Sequence, residues 1–368
     1  MKKVTLRTLG LLLVVFLWAA LTAAAWFVPA KDTSEAERRP LEQMPELSAD
    51  TLWNGSFMEK FESYSLDQFP LRDTFRTIKS LFHFYGLQQS DNNDIYIADG
   101  YAVKQEYPLS PDSISHALSR FQHLYNQYLA SSGSDIHMAI IPDKGYYLAE
   151  KSGHLTLDYE ALFSAFEVDM PWADFIDLTD ALSIEDYYRT DIHWRQENLL
   201  DAAGVICNHL GVTPPEPADF PMEEIERPFY GVYYGQAALP MEPEIMYFRK
   251  NNLLDSCWVY NYETGKYGRI FDLSKQDSRD LYDIFLSGPQ SLLTIENPHA
   301  VTDRELIVFR DSFGSSMVPL LLQDYAKVTL VDIRYIQIDV LDRFLEFNGQ
   351  DVLFLYSVPV LNNSQTIK

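Results

Sequence analysis

The sequence predicts an α/β protein built on an open, mainly parallel sheet with crossover helices. Three observations carry that expectation. Short apolar runs rich in branched residues recur at IHMAII (136–141), ELIVF (305–309), KVTLV (327–331) and DVLFLYS (351–357), the pattern of strands buried on both faces of a parallel sheet. Helical-looking sequence separates each run from the next, as crossover connections require. No self-similarity recurs at a period of ~20–50 residues, which sets aside solenoids and propellers.

The composition agrees. With 47% apolar and 14% aromatic residues in 368, one main core with extra segments is expected. The 53 acidic against 29 basic side chains leave a net charge of −24, which repels nucleic acid at long range and argues against a DNA- or RNA-binding role. A polyanionic glycan would need a local groove lined by Arg or Lys.

At the N-terminus Lys2, Lys3 and Arg7 precede an uncharged stretch from Leu9 to Ala30. At about 1.5 Å per residue a helix of that length reaches roughly 33 Å, the thickness of a bilayer's hydrocarbon layer. The basic flank predicts a cytoplasmic N-terminus, with everything after Ala30 outside. Residues 1–30 are thus expected to form a single-pass signal anchor. Ala23–Ala25 is the alternative signal-peptidase site, which would release the chain. Either way the protein is exported.

Residues 31–56 are charged and contain proline, and read as an extended tether. Residues 57–368 form the expected outer domain, and residues 57–90 are its helical lead-in. There Phe57, Phe61, Tyr64, Leu66, Phe69, Phe75, Ile78 and Leu81 recur at helical spacing, broken at Pro70 into two short helices. NDIYIADGYAV predicts a hairpin turning at Asp99-Gly100. Ser110-Pro111-Asp112 then opens an amphipathic helix within 108–129, with Ser as cap and Pro in the first turn. CWVYNYETGKYGRIFDL reads as an antiparallel hairpin inserted between the halves of the sheet. Cys207 and Cys257 suit one disulfide or two buried thiols, and Cys207 in AAGVICNHL reads as core.

Two stretches carry chemistry. In RELIVFRDSFGSSMVPLLL (304–322) a strand ends in Arg310-Asp311-Ser312 and a helical run follows, which puts Ser312 at the strand's carboxyl end, where open sheets hold their sites. The plain alternative is that Ser312 or Asp311 caps the helix. In YRTDIHWRQEN (188–198), Asp191 and His193 stand two apart, so in an extended segment they project to one side and a carboxylate can orient the imidazole. A serine hydroxyl needs such a base. The alternative has Thr190 or Asp191 capping a helix with His193 in its first turn. His83, His116, His123, His137, His154, His209 and His299 are scattered without ligand spacing, so no metal is expected; His209 and His299 read as surface or core-edge residues.

TDIHW followed by RDSFG resembles the SGNH-hydrolase-like O-acetyltransferases of bacterial exopolysaccharides, the alginate O-acetyltransferases AlgJ and AlgX and the related DHHW proteins of Gram-positive bacteria. ERRPLEQMPELS, FESYSLDQFPLRD, AIIPDKGYYL, YDIFLSGPQSLLTIEN and VTLVDIRYI resemble further segments of that family, in order. The resemblance implies a three-layer α/β/α SGNH-like domain in which Asp and His precede Ser, a permuted order relative to ordinary SGNH esterases. It implies Ser312 as nucleophile, His193 as general base and acid, and Asp191 as its orienting residue. Gly231 and Gly288 are the candidates for the second oxyanion donor beside the Ser312 amide; Pro289 stands where the family often has Asn. Arg310 and Lys144 are candidates for contact with glycan or acyl carbonyl, and Tyr230, with Tyr233 and Tyr234, for stacking on sugar.

The implied function is an extracytoplasmic O-acetyltransferase that passes acetyl through Ser312 to hydroxyls of a cell-surface or secreted polysaccharide. A membrane-bound O-acyltransferase is the implied acetyl-supplying partner, and no cofactor is implied. Two rivals use the same residues or fold: a carbohydrate acetylesterase, if water takes the acyl group, and a non-catalytic glycan-binding or assembly protein.

Overall fold

The uncharged N-terminal run forms one helix, Leu6–Phe27, in a computed structural model that describes residues 6–34, 36–278 and 280–368. Lys2 and Lys3 lie outside the described residues. Over Arg7–Phe27 this helix is long and apolar enough to cross a membrane, and Leu11, Leu13, Phe16 and Trp18 are exposed along it. The chain divides into two units, Met1–Asn92 with Tyr234–Pro240, and Asn93–Tyr233 with Met241–Lys368.

The first unit is held by charge. Residues 31–56, read from the sequence as a tether, carry a short ladder of β1 (Thr33–Ser34) with β2 (Arg39–Pro40) and a helix, Ala49–Trp53, capped by Ser48. Arg39 meets Asp67 through both nitrogens, at 2.5 and 2.8 Å, while Glu37 lies 2.6 Å from Arg72 and 3.1 Å from Arg76. The charges that made the segment look solvated therefore find partners on the two helices that follow, Ser56–Asp67 and Arg72–Leu81. Their intervening turn falls at the expected place, with Leu71 in the left-handed region at φ 59°. Residues 234–240 lie against the same helices: Arg76 donates to the Gly235 carbonyl at 2.8 Å, and Ser80 and Asn92 donate to the Ala237 carbonyl at 2.7 and 3.0 Å. A Cβ on Gly235 would overlap the Ala36 carbonyl, so only glycine permits this approach.

In the second unit β3 (Ile95–Ala98) and β4 (Tyr101–Lys104) form the expected hairpin. Asp99 and Gly100 both have positive φ, the geometry that matches the strands' twist. Helix Pro111–Leu124 starts as predicted, the Ser110 hydroxyl accepting the Ser113 amide. The remaining strands are β5 (Ile136–Ile141), β6 (Asp174–Ile176), β7 (Met222–Phe229), β8 (Glu244–Arg249), β9 (Trp258–Asn261), β10 (Lys266–Gly268), β11 (Leu292–Glu296), β12 (Glu305–Arg310), β13 (Lys327–Val331) and β14 (Asp351–Ser357). Eight of them form one sheet in the order β10-β9-β11-β13-β12-β14-β5-β6. From β13 to β6 every pairing is parallel; β11, β9 and β10 extend the sheet antiparallel. β7 and β8 form a separate ladder.

Side chains alternate across the sheet as its pleat requires. Leu306 and Val308 of β12, with Leu353 and Leu355 of β14, join the core that includes Ala202, Ala203 and Ile206 of helix Leu200–Leu210. Ile307, Phe309, Val352 and Phe354 face the opposite core, with Phe121 and with Phe166 of helix Tyr159–Asp169. This is the three-layer α/β/α arrangement expected. Truncating one of these fully buried side chains to Ala costs about 2–5 kcal/mol.

One expectation changes. The hairpin β9–β10 does not lie between halves of the sheet; it forms its edge, because β9 finds hydrogen-bonding partners in the antiparallel strand β11. Of the two readings of the cysteines, the structure has the second: Cys207 and Cys257 are both free thiols, and both are buried.

Candidate active site

The segment carrying Asp191 and His193 is not the first turn of a helix. Tyr187 and Trp194 pair as an antiparallel bridge, the Tyr188 amide donates to the His193 carbonyl at 3.1 Å, and the next helical turn begins only at Gln196. Residues 188–193 are therefore a tight loop, and several groups brace it. The Glu244 carboxylate accepts from the Arg189 and Thr190 amides and the Thr190 hydroxyl, each at 2.9 Å. Lys144 Nζ donates to the carbonyls of Tyr188 and Arg189 at 3.0 and 3.3 Å. The Gly231 amide donates to Thr190 Oγ1 at 3.0 Å and the Val232 amide to Asp191 Oδ1 at 2.7 Å. A Cβ on Gly231 would overlap the Cα and N of Asp191, so glycine is what lets this strand end close on the loop.

Within that loop Asp191 is fully buried and His193 is 7% exposed. Asp191 Oδ2 lies 2.6 Å from His193 Nδ1. A carboxylate only accepts, so Nδ1 carries the proton and Nε2 of the neutral ring is left as an acceptor. Nε2 lies 2.8 Å from Ser312 Oγ, across 119 residues of sequence. The imidazole plane is fixed by Tyr282, stacked at 3.9 Å and 8°. Tyr282 is held in turn by a 2.6 Å hydrogen bond to Ser316, which also accepts from Trp194 Nε1 at 2.8 Å.

Ser312 sits just past the carboxyl end of β12. Asp311 fixes the turn: its Oδ1 accepts the Phe313 amide at 3.0 Å, and its Oδ2 accepts the amide and hydroxyl of Ser357 at 2.8 and 2.6 Å. A Cβ on Gly314 would stand 2.8 Å from Arg310 Cβ, so this glycine lets the chain reverse directly after the serine. The helix that follows is brief, Gly314–Met317, and tightens into a 3₁₀ turn at Val318–Leu321.

The structure thus brings Asp191, His193 and Ser312 together, whereas Lys144, Arg310, Gly231 and Gly288 are buried with their polar groups engaged elsewhere. Lys144 is 2% exposed and spends its ammonium on the loop carbonyls, so it props Asp191's loop and does not reach a glycan. Burial lowers its pKa to about 7, against the pull of Asp191, Glu244 and Asp143. Arg310 is fully buried under the turn, 4.0 Å from Asp332, with donations to the Asp311 and Gln290 carbonyls. It supports the fold there. The Gly231 amide is spent on Thr190, and the Gly288 amide donates to the Phe285 carbonyl at 3.1 Å, so neither is an open oxyanion donor. Gly288 has φ +82°, and a Cβ there would overlap the Asp283 carboxylate; its role is in the turn. Tyr233 is buried with its ring 4.9 Å from Lys144 Nζ; Tyr230 is 42% exposed.

Glu244, Tyr282 and Ser357 went unnoticed in the sequence. No local pattern marks a lone Glu opening a strand or a Tyr in a 3₁₀ turn as neighbours of a histidine far away in the chain. A cleft of about 350 Å³ beside the loop is lined by Tyr101, Glu185, Arg189, Arg195, Glu197 and Tyr247 among others.

A mainly parallel sheet with the serine at a strand's carboxyl end and the Asp-His pair on a neighbouring loop defines an SGNH-like α/β protein. The DHHW protein family model matches residues 179–331, the stretch that contains Asp191, His193 and Ser312. Its fold is similar to that of a DHHW family protein from Eubacterium siraeum, with 21% identity, TM-score 0.60, and 75% of this chain and 95% of that one covered. It is likewise similar to Bacillus cereus PatB1 with a sulfonyl adduct, at 18% identity and TM-score 0.59, covering 73% of this chain and 97% of that one. The O-acetyltransferase domain of Pseudomonas putida AlgJ matches at 13% identity and TM-score 0.44 over 73% of this chain and 92% of that one. No curated protein matches the sequence.

Proposed function

We propose that this protein is an extracytoplasmic O-acetyltransferase that carries acetyl on Ser312 and delivers it to hydroxyl groups of a cell-surface or secreted polysaccharide. The observation that carries the reading is the unbroken line of hydrogen bonds from Asp191 through His193 to Ser312, at 2.6 and 2.8 Å. Ser312 Oγ attacks the carbonyl carbon of an acetyl ester as its proton passes to His193 Nε2, and Asp191 stabilises the imidazolium formed. The same proton goes to the departing alkoxide as its C–O bond breaks, leaving acetyl-Ser312. A sugar hydroxyl then attacks, gives its proton to Nε2, and Ser312 recovers it as the acetyl ester leaves on the sugar. The Ser312 amide is the oxyanion donor in this scheme. The exposed ring of Tyr230 offers a stacking face for the sugar.

Helix Leu6–Phe27 anchors the protein in the membrane in this reading. Acetyl groups then reach Ser312 from a membrane-bound O-acyltransferase, because a soluble acyl carrier does not cross the bilayer.

A mass spectrum after exposure to an activated acetyl ester tests the proposal: an adduct of about 42 Da is expected on Ser312 and is absent from Ser312→Ala. Offering an oligosaccharide then separates transfer from hydrolysis. Release of free acetate with no acetylated sugar makes the protein an esterase. Failure to form the adduct from any donor, with glycan binding intact, makes it a binding protein.

A further inference from the structure

A second histidine cluster lies at the other end of the parallel strands. β5 and β6 pair with His137 opposite Asp174, and helix Leu200–Leu210 brings His209 Nδ1 to 2.7 Å from Asp174 Oδ2. One ligand atom from each of His137, Asp174 and His209 lies within 4.8 Å of the other two. His137 is 3% exposed, yet neither of its ring nitrogens makes a hydrogen bond among the described residues. Asp174 Oδ2 stands 3.5 Å from its Nδ1, and Asp135 Oδ2 stands 3.5 Å from its Nε2. Leaving a buried polar ring in that condition costs about 1–3 kcal/mol. Each nitrogen nevertheless faces a carboxylate.

The geometry points to a binding site for a divalent transition cation of the zinc class, ligated by His137, Asp174 and His209, with Asp135 holding the second nitrogen of His137 from outside. Two imidazoles and one carboxylate are the borderline donor set that Zn²⁺ takes, whereas Mg²⁺ and Ca²⁺ favour all-oxygen sites. A carboxylate on the far nitrogen is the outer partner that such ligating histidines usually have, and it sets which ring nitrogen is left to face the metal. Asp174 and His209 are exposed, so the cation has a way in and water completes its shell. The tripeptide Asp135-Ile136-His137 repeats Asp191-Ile192-His193, the carboxylate again two residues before the ring it faces.

This site is separate from the reacting groups. The sheet register aligns His137 with Leu353 and Leu353 with Val308, four residues before Ser312, or about 13 Å along the strand. Its role is to staple β5, β6 and helix Leu200–Leu210 at the amino ends of the strands, where each offers one ligand.

The full chain, without an affinity tag and in detergent micelles, is stripped by chelator and titrated with Zn²⁺ by calorimetry, with elemental analysis of the dialysed product. One Zn²⁺ per chain is expected, with a rise in Tm that chelator reverses. His209→Gln and Asp174→Asn, both surface changes, each weaken binding roughly 10-fold or more, and Asp135→Asn weakens it by about 10- to 100-fold. Co²⁺ in place of Zn²⁺ is expected to absorb as a nitrogen- and oxygen-ligated ion without a thiolate charge-transfer band. Absence of stoichiometric Zn²⁺ binding overturns the proposal, as does binding that both His209→Gln and Asp174→Asn leave unchanged.

Discussion

Tyr282 lies face to face with His193, centroids 3.9 Å apart and planes within 8°. Its hydroxyl stays protonated, since burial pushes its pKa well above the ordinary value, and so it remains able to donate to Ser316. The ring limits the imidazole to one plane, the one in which Nδ1 meets Asp191 and Nε2 meets Ser312. Tyr282→Ala is expected to lower kcat/KM for acetyl transfer by about 10- to 100-fold through misplacement of the base. Tyr282→Phe keeps the plane and loses only the link to Ser316, so its loss is the smaller one. Steady-state kinetics of both variants decide the point.

Gly231 presses against the backbone of Asp191. In Gly231→Ala the loop has to move, and a shift near 1 Å at the base costs on the order of 100-fold in kcat/KM. Circular dichroism of the variant is expected to match the parent. A variant of full activity would show that the loop yields without consequence.

Glu244 gathers three donors from Arg189 and Thr190. Glu244→Gln removes the charge from bonds made inside the protein and is expected to destabilise it by about 1–3 kcal/mol. Urea denaturation measures this as a lower midpoint at unchanged slope.

Lys144 makes stability depend on pH. Its folded-state pKa, about 7 against an ordinary 10.5, is lowered by burial. Between those values the unfolded chain holds the proton that the folded one has released. Stability therefore rises with pH from about 7 towards 10.5, and below 7 the cost of a buried ammonium is borne in full. Replacing the lysine by methionine removes this component: the Tm of the parent relative to Lys144→Met is expected to climb across that window. A constant difference would mean the lysine keeps its charge when folded.

Labelling with a sulfonyl fluoride tests the nucleophile independently of any acetyl donor. Modification is expected at Ser312 and is expected to be lost in Ser312→Ala. In His193→Ala it slows by about 100-fold or more, because the hydroxyl has no base.

Much of this was legible in the sequence because it is local. A buried parallel strand announces itself as an apolar run, and β5, β12, β13 and β14 lie where those runs lie. Asp99-Gly100 turns a hairpin because two residues with positive φ are needed there. The meeting of Asp191, His193 and Ser312 was expected from motif order. What escaped was whatever depends on a partner remote in the chain. β6 has three residues, too few to alternate, and β11 is an antiparallel strand inside a largely parallel sheet. Lys144 and Arg310 looked like open cations, since a sequence carries no sign of the carbonyls they serve. His137 and His209 looked scattered because sheet pairing and helix packing, not spacing, bring them to Asp174.

Cys207 and Cys257 are fully buried and unpaired, and burial pushes their pKa values up to about 12 and about 11. A protonated thiol inside a packed core does not react with alkylating reagents. In the native protein both are chemically silent, and each becomes reactive only when its surroundings open. The two sulfurs are therefore intrinsic clocks for breathing of the core, Cys207 on the buried face of helix Leu200–Leu210 and Cys257 beside β9, readable by mass after alkylation without engineering any probe into the chain.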